Sequence, residues 1–228
     1  PIMTDDEYDI LREFMEKKYP KNEVLQEVGA VVEKNKVKLP YEMWSMDKIK
    51  PDTKYLSRWM KKYAGPYVLS CKLDGVSGMY STEGDEPKLY TRGDGITGQD
   101  VSHLIPYLKL PKRNNVVIRG EFIIPKALFQ SKYSEQFSNA RNFVAGVVNQ
   151  KKIEPEKFSD IDFVAYEVIV PESKPSEQMA YLSELSDIEV VEHQVESEIS
   201  NESLSNLLVL WRKEYTYEID GVICINDN

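Results

Sequence analysis

The sequence predicts an α+β fold of mixed, mostly antiparallel sheets flanked by helices, preceded by a short helical segment. Three observations point there. Strand-like apolar runs and helical segments follow one another without a regular strand–helix alternation, which argues against a doubly wound parallel sheet. No G-x-G-x-x-G joins a strand to a helix and no G-x-x-x-x-G-K-[ST] occurs, so a dinucleotide fingerprint is unsupported and a P-loop is excluded. The length of 228 residues and 41% hydrophobic content suit one large domain, or one domain with an appendage.

The elements follow in order. Thr4-Asp5-Asp6-Glu7 is a capping box that opens a helix running toward Lys18, with Tyr8, Leu11 and Met15 on one face and Pro20 as its stop. Up to about Asp47 the chain is mixed, with an extended stretch around Leu39-Pro40. A helix spans roughly Pro51 to Ala64, with Gly65 as its stop signal. Strands are expected at Tyr67–Cys71 and Val76–Tyr80, then a Gly-rich turn or loop over Thr91–Gly98. Val116–Ile124 is a long apolar strand with a charged centre. A short helix begins at Pro125, and another runs from Asn139 to Gln150. Ile161–Val170 reads as a buried strand, Ser176–Leu185 as a helix, Ile188–Val195 as a strand, Ser203–Glu214 as a helix and Ile219–Ile225 as a last strand.

Bulk properties exclude several classes. No apolar run approaches bilayer length, and the amino end, charged within a few residues, has no signal-peptide pattern. Cys71 and Cys224 each lie in an apolar run. They read as reduced core residues of an intracellular protein, cytoplasmic or nuclear, with a disulfide as the lesser alternative. The net charge of −9 argues against whole-surface attraction to nucleic acid. That average hides an asymmetry: Lys109–Lys157 carries ten Lys/Arg against four Asp/Glu, while Phe158–Asn206 carries one Lys against twelve Asp/Glu. The first segment could form a local phosphate-binding face.

The chemistry centres on Lys72-Leu73-Asp74-Gly75, which separates two strand-like runs. A lysine ending a buried strand, with a carboxylate two residues on, is a candidate amine nucleophile. Free lysine has a reference pKa near 10.4, so on the order of one molecule in 10³ is unprotonated at pH 7, and burial or nearby cations favour the neutral amine. The plainer alternative is a solvated lysine on an Asp-Gly hairpin turn. Against it stand charged residues embedded in apolar strands: Arg119 and Glu121, two apart and so on one face, and Asp220 between Ile219 and Gly221. Uncompensated charges there are costly, so they are expected to converge on one another, a metal or an anion. A lysine with carboxylates and arginines in one cavity suits phosphoryl-type chemistry.

Lys72-Leu73-Asp74-Gly75 is followed by Thr91-Arg92-Gly93-Asp94-Gly95-Ile96-Thr97-Gly98-Gln99-Asp100-Val101 and by Arg119-Gly120-Glu121. Asn139-Ala140-Arg141-Asn142-Phe143-Val144-Ala145-Gly146, Phe163-Val164-Ala165-Tyr166 and Glu218-Ile219-Asp220-Gly221-Val222 complete the series. In order and spacing, over about residues 40 to 225, this resembles the nucleotidyltransferase domain of NAD⁺-dependent DNA ligases. The lysine motif is shared with ATP-dependent ligases and capping enzymes; the T-R-G-D-G-x-T-G and A-R-N-x-x-A-G elements are the specific ones. Asp5-Asp6-Glu7-Tyr8-Asp9 resembles part of the small helical domain that grips the nicotinamide nucleotide half of NAD⁺.

The resemblance implies the ligase and capping-enzyme nucleotidyltransferase fold over residues 41–228, with residues 1–40 as part of the helical domain and a linker. It implies that Lys72 attacks the α-phosphorus of NAD⁺, releases nicotinamide mononucleotide and carries AMP for transfer to the 5′-phosphate of nicked duplex DNA. By the same resemblance, Asp74, Glu121 and Asp220 organise the lysine, the ribose and Mg²⁺, with Asp74 and Glu121 as metal ligands. Ser45 and Met46 lie by the adenosine, Tyr166 packs on the adenine, and Arg92, Arg141 and Arg212 serve nucleotide and phosphate contacts. Asp5, Tyr8 and Asp9 contact the nicotinamide mononucleotide half. The implied partners are NAD⁺, nicked DNA and further ligase domains, with this chain a monomer away from membranes.

The chain departs from the pattern in three places. Ser70 stands where the family usually has Glu, Asn149 where an arginine is expected, and Ile225 where a lysine is expected. An ATP-using ligase or other nucleotidyltransferase of the superfamily, and a catalytically impaired nucleotide- or nick-binding module, remain as alternatives.

Overall fold

Pairing between distant segments decides which expected strands share a sheet. The computed structural model describes residues 35–51, 54–150 and 153–228, together with Leu11, Phe14, Met15, Lys18 and Tyr19. Leu11, Phe14, Met15 and Lys18 are helical and Tyr19 is not, in keeping with the amino-terminal helix read from the capping box. The chain forms two compact units: Pro1–Ser45 with Arg92–Gln99, and Met46–Thr91 with Asp100–Asn228.

In the first unit β1 (Lys36–Lys38) pairs antiparallel with β5 (Thr97–Gln99), Val37 facing Gly98. The expected loop over Thr91–Gly98 is therefore a turn that runs into a strand. Asp94 makes the turn: its Oδ1 accepts from the amides of Thr97 at 2.7 Å and Ile96 at 2.9 Å, which holds its carboxyl below the usual range. Gly95 has φ +94, a conformation that favours glycine.

The second unit holds the remaining elements. Helix α1 (Tyr55–Lys62) precedes β2 (Tyr67–Leu73) and β3 (Val76–Ser81). Next come β4 (Lys88–Thr91), a 3-10 turn (Ser102–Tyr107), β6 (Val117–Ile123), α2 (Lys126–Lys132) and α3 (Ala140–Val148). The chain continues through α4 (Pro155–Phe158), β7 (Asp162–Val170), α5 (Pro175–Glu184), β8 (Glu189–Val190), β9 (His193–Glu196), α6 (Asn201–Glu214) and β10 (Ile219–Asn226). One sheet has the order β4-β3-β6-β7-β8, antiparallel except for the β7–β8 pair, and the other has the order β10-β2-β9.

This topology rules out the hairpin alternative and corrects one sequence reading. β2 and β3 lie in different sheets, so Lys72-Leu73-Asp74-Gly75 is no hairpin; the chain crosses from one sheet to the other there. The expected strand over Ile188–Val195 is two short strands, again in different sheets, because the chain crosses back at Val191-Glu192. Val191 donates to Ala165 of β7 and Glu192 accepts from Cys71 of β2, so two consecutive residues serve one sheet each.

A single apolar core supports both sheets. Phe122 of β6 and Phe163 of β7 meet edge to face at 5.1 Å, and Tyr133 stacks on Phe143 of α3 at 4.0 Å. Asn139 caps α3 by accepting from the Asn142 amide at 2.7 Å, and Ser200 and Ser203 cap α6 reciprocally. Cys71 is buried and Cys224 half-buried, and both are free; burial pushes their thiols up to about 12 and about 11. No described helix is long and apolar enough to cross a membrane.

Candidate active site

Lys72 is the penultimate residue of β2, and its partner across the β2–β10 ladder is Gly221. The register slips between Ile219 and Gly221, which leaves Asp220 as the extra residue of a bulge on β10. Freed from the ladder, Asp220 turns to the lysine: Lys72 Nζ donates to its Oδ1 at 2.7 Å and its Oδ2 at 2.8 Å. Both side chains are nearly half exposed, 45% and 40%. The expected buried amine is thus an accessible one, because Lys72 lies at the strand's end, where the chain leaves the sheet.

Asp74 and Gly75 form the crossing between the sheets. Asp74 Oδ1 lies 3.3 Å from Arg141 Nη1 on the first turn of α3, so the A-R-N element comes to the lysine motif. A side chain on Gly75 would collide with the Phe122 carbonyl oxygen, so only glycine lets the two strands come this close. The Gly75 amide donates to Glu121 Oε1 at 3.2 Å, and the Ser77 hydroxyl donates to Glu121 Oε2 at 2.9 Å.

Glu121 is buried, 6% exposed, within β6. Burial pushes its carboxyl up to about 7, while the Ser77 hydroxyl, the Arg141 charge, the Gly75 amide and the Lys72 charge each pull it back down. Glu121 is therefore poised near neutrality, with the lysine and the arginine close enough to act on it. Tyr166 is half-buried on β7; burial and the nearby Glu121 raise its hydroxyl, and the Ser77 hydroxyl offsets part of that. Tyr166 and Ser70 line a cavity of about 70 Å³ with Val68, Glu167, Met179 and Ile225 among the other lining residues.

Arg92 is fixed within the first unit: its Nε donates to the Met43 carbonyl at 2.9 Å and its Nη2 to Ser45 Oγ at 2.8 Å. Met46 is exposed at the start of the second unit's chain. Arg212 is exposed on α6, where its carbonyl accepts from Lys126 Nζ at 2.9 Å. Asp5, Tyr8 and Asp9 lie outside the described residues. Arg119, expected to converge with Glu121, instead pairs with Glu167 at 2.7 Å, because the β6–β7 register sets the two opposite one another. Sequence reasoning missed Ser77, the residue directly across from Glu121 in the β3–β6 ladder. The only signal for it is a polar residue in an apolar strand, which has no meaning until the register is known.

Among the described residues no three His, Cys, Asp or Glu side chains gather as a metal cage.

A family model described as the NAD-dependent DNA ligase adenylation domain matches residues 32–228. The chain is 39% identical over 235 residues to a DNA ligase of Acanthamoeba polyphaga mimivirus, covering 100% of this chain and 37% of that protein. It is 37% identical to a putative DNA ligase of invertebrate iridescent virus 6, covering 98% of this chain and 37% of the relative. It is 30% identical to a DNA ligase of the bacterium Petrotoga mobilis, covering 98% and 38%. The chain thus spans little more than a third of the length of the curated relatives it matches.

Proposed function

The chain belongs to the NAD-dependent DNA ligase adenylation-domain family, and from that premise we propose that it catalyses the first step of ligation, charging Lys72 with AMP from NAD⁺. The observation that carries this reading is the two-point hold of Asp220 on Lys72 Nζ, at 2.7 and 2.8 Å, at an accessible strand end. Asp220 takes one proton from the ammonium. The neutral nitrogen then attacks the α-phosphorus, a P–N bond forms, and the P–O bond to nicotinamide mononucleotide breaks. The electron pair leaves on the departing phosphate oxygen, and the product is a lysyl-AMP phosphoramidate.

The surrounding residues divide the rest of the work. Arg141, held by Asp74, presents positive charge to the phosphates. Asp74 and Glu121 are the side chains that would hold Mg²⁺, which when bound supplies further charge against the α-phosphate. Tyr166 offers a ring for the adenine, and Arg92, Ser45 and Met46 serve the nucleotide. Asp5, Tyr8 and Asp9 receive the nicotinamide half. In the whole protein the AMP passes to the 5′-phosphate of nicked duplex DNA, and the 3′-hydroxyl displaces it.

An intact-mass spectrum before and after incubation with NAD⁺, with ATP in parallel, tests the reading. One AMP is expected on the chain with NAD⁺ and none with ATP, and peptide mapping is expected to put it on Lys72. Lys72→Ala and Lys72→Arg are both expected to stay unmodified, the second because a guanidinium keeps its proton. An adduct on another lysine, or one formed from ATP alone, overturns the proposal.

A further inference from the structure

The register of β7 slips at two places; at the second, Arg119 faces Glu167 and Gly120 faces Ala165, so Tyr166 is the extra residue of a bulge. In a regular strand Tyr166 and Glu167 would point to opposite faces; a bulge re-aims successive side chains toward one side. Both indeed line the same cavity of about 70 Å³. That cavity opens against Ser70, two residues before Lys72 and so on the same face of β2. Its walls from Val68, Met179 and Ile225 are apolar, which suits the edge of a planar ring.

The polar groups in the cavity differ in what they can select. Gln178 is held at both ends of its amide, its Oε1 accepting from the Val168 amide at 3.0 Å and its Nε2 donating to the Ser173 carbonyl at 2.8 Å, and an amide that both donates and accepts does not discriminate. A serine hydroxyl both donates and accepts, so Ser70 does not discriminate. Glu167 is the one charged side chain of the lining. Its Oε2 takes the Arg119 guanidinium at 2.7 Å, which fixes the carboxylate and leaves Oε1 to accept from a ligand.

We infer that Glu167 is the residue with which this chain selects adenine, its Oε1 accepting a hydrogen bond from the exocyclic amino group of a base lying against Tyr166. The inference rests on the reading of the Lys72 site as an adenylation site. A carboxylate only accepts, and adenine offers an amino donor where hypoxanthine offers a carbonyl acceptor. A polar site built for one donor rejects an analogue that lacks it. Arg119 is a positioning residue: it holds the carboxylate and touches no base.

Isothermal titration of the intact chain with AMP and with IMP tests this without any reaction taking place. The parent is expected to bind AMP at least about tenfold tighter than IMP, the difference made by a hydrogen bond to a charged group. Glu167→Gln, whose amide can both donate and accept, is expected to bring the two within about threefold while still accepting from Arg119. Glu167→Asp keeps the charge but draws it back, and is expected to weaken AMP while leaving IMP nearly unchanged; it carries the test if Glu167→Gln fails to fold. Variants that keep the parent's preference overturn the inference, as does a parent with no preference. The mass measurement separates the two failures: a parent that gains AMP on Lys72 without preferring AMP over IMP loses only this inference, whereas one that neither binds AMP nor gains it loses both.

Discussion

Ser77 stands directly across the β3–β6 ladder from Glu121, and its hydroxyl donates to Glu121 Oε2 at 2.9 Å. A donor to a carboxylate favours the ionised form, so this serine opposes the burial that raises Glu121 to about 7. Register alone creates the pair, since the two residues are 44 positions apart.

If adenylation requires ionised Glu121, Ser77→Ala moves the acid limb of the pH–rate profile upward. At pH 7 the rate of Lys72 adenylation is expected to fall by about tenfold, on the scale of one hydrogen bond to a charged group, and to recover toward pH 8.5. Ser77→Thr keeps a hydroxyl and is expected to restore the parent profile. Equal loss at every pH in Ser77→Ala would show that the serine only packs.

Glu121 also makes stability depend on pH in a direction opposite to that of an ordinary paired acid. Its folded value, about 7, lies above the ordinary 4.5. Between those values the folded state binds more protons than the unfolded one, so stability falls as pH rises through that window and is level above it. The cost at high pH is roughly 3 kcal/mol, from about 1.4 kcal/mol per pKa unit. Glu121→Gln removes this dependence. Urea unfolding at pH 4.5 and pH 8 is expected to show the variant's stability, relative to the parent, higher at pH 8 by about that amount. A difference that does not change with pH would refute the buried-carboxylate account.

Asp220→Asn keeps the shape of the bulge and removes the proton acceptor. Adenylation is expected to fall by a factor of about 10² or more, the usual scale of a lost general base. Folding stability is expected to change by less than about 1 kcal/mol, because the ion pair with Lys72 is well exposed. A large drop in melting temperature would assign Asp220 to the fold instead of the reaction.

Gly75→Ala tests the crossing between the sheets. The added methyl meets the backbone at Phe122 and the Glu121 side chain, neither the free end of a flexible group. A loss of about 3 kcal/mol or more is expected in chemical denaturation, as for other forced overpacking. A loss below about 1 kcal/mol would mean that β3 and β6 can separate there at little cost.

The amino-acid order alone yields the α+β class and most of the elements; it marks Glu121 and Asp220 as candidates because charged residues inside apolar strands are conspicuous in one dimension, and Lys72 and Asp74 through the motif they form. Helices such as Ala140–Val148 and Asn201–Glu214 were legible because their caps and periodicities are local. Only the tertiary structure decided which of those charges meet. The crossing at Asp74-Gly75, the break between Glu189–Val190 and His193–Glu196, and the bulges at Asp220 and Tyr166 all arise from pairing between distant strands. Alternation along one strand fixes which residues share a face. Register, which is settled by a partner far away in sequence, fixes what that face touches: Arg119 finds Glu167 rather than Glu121, and Glu121 finds Ser77.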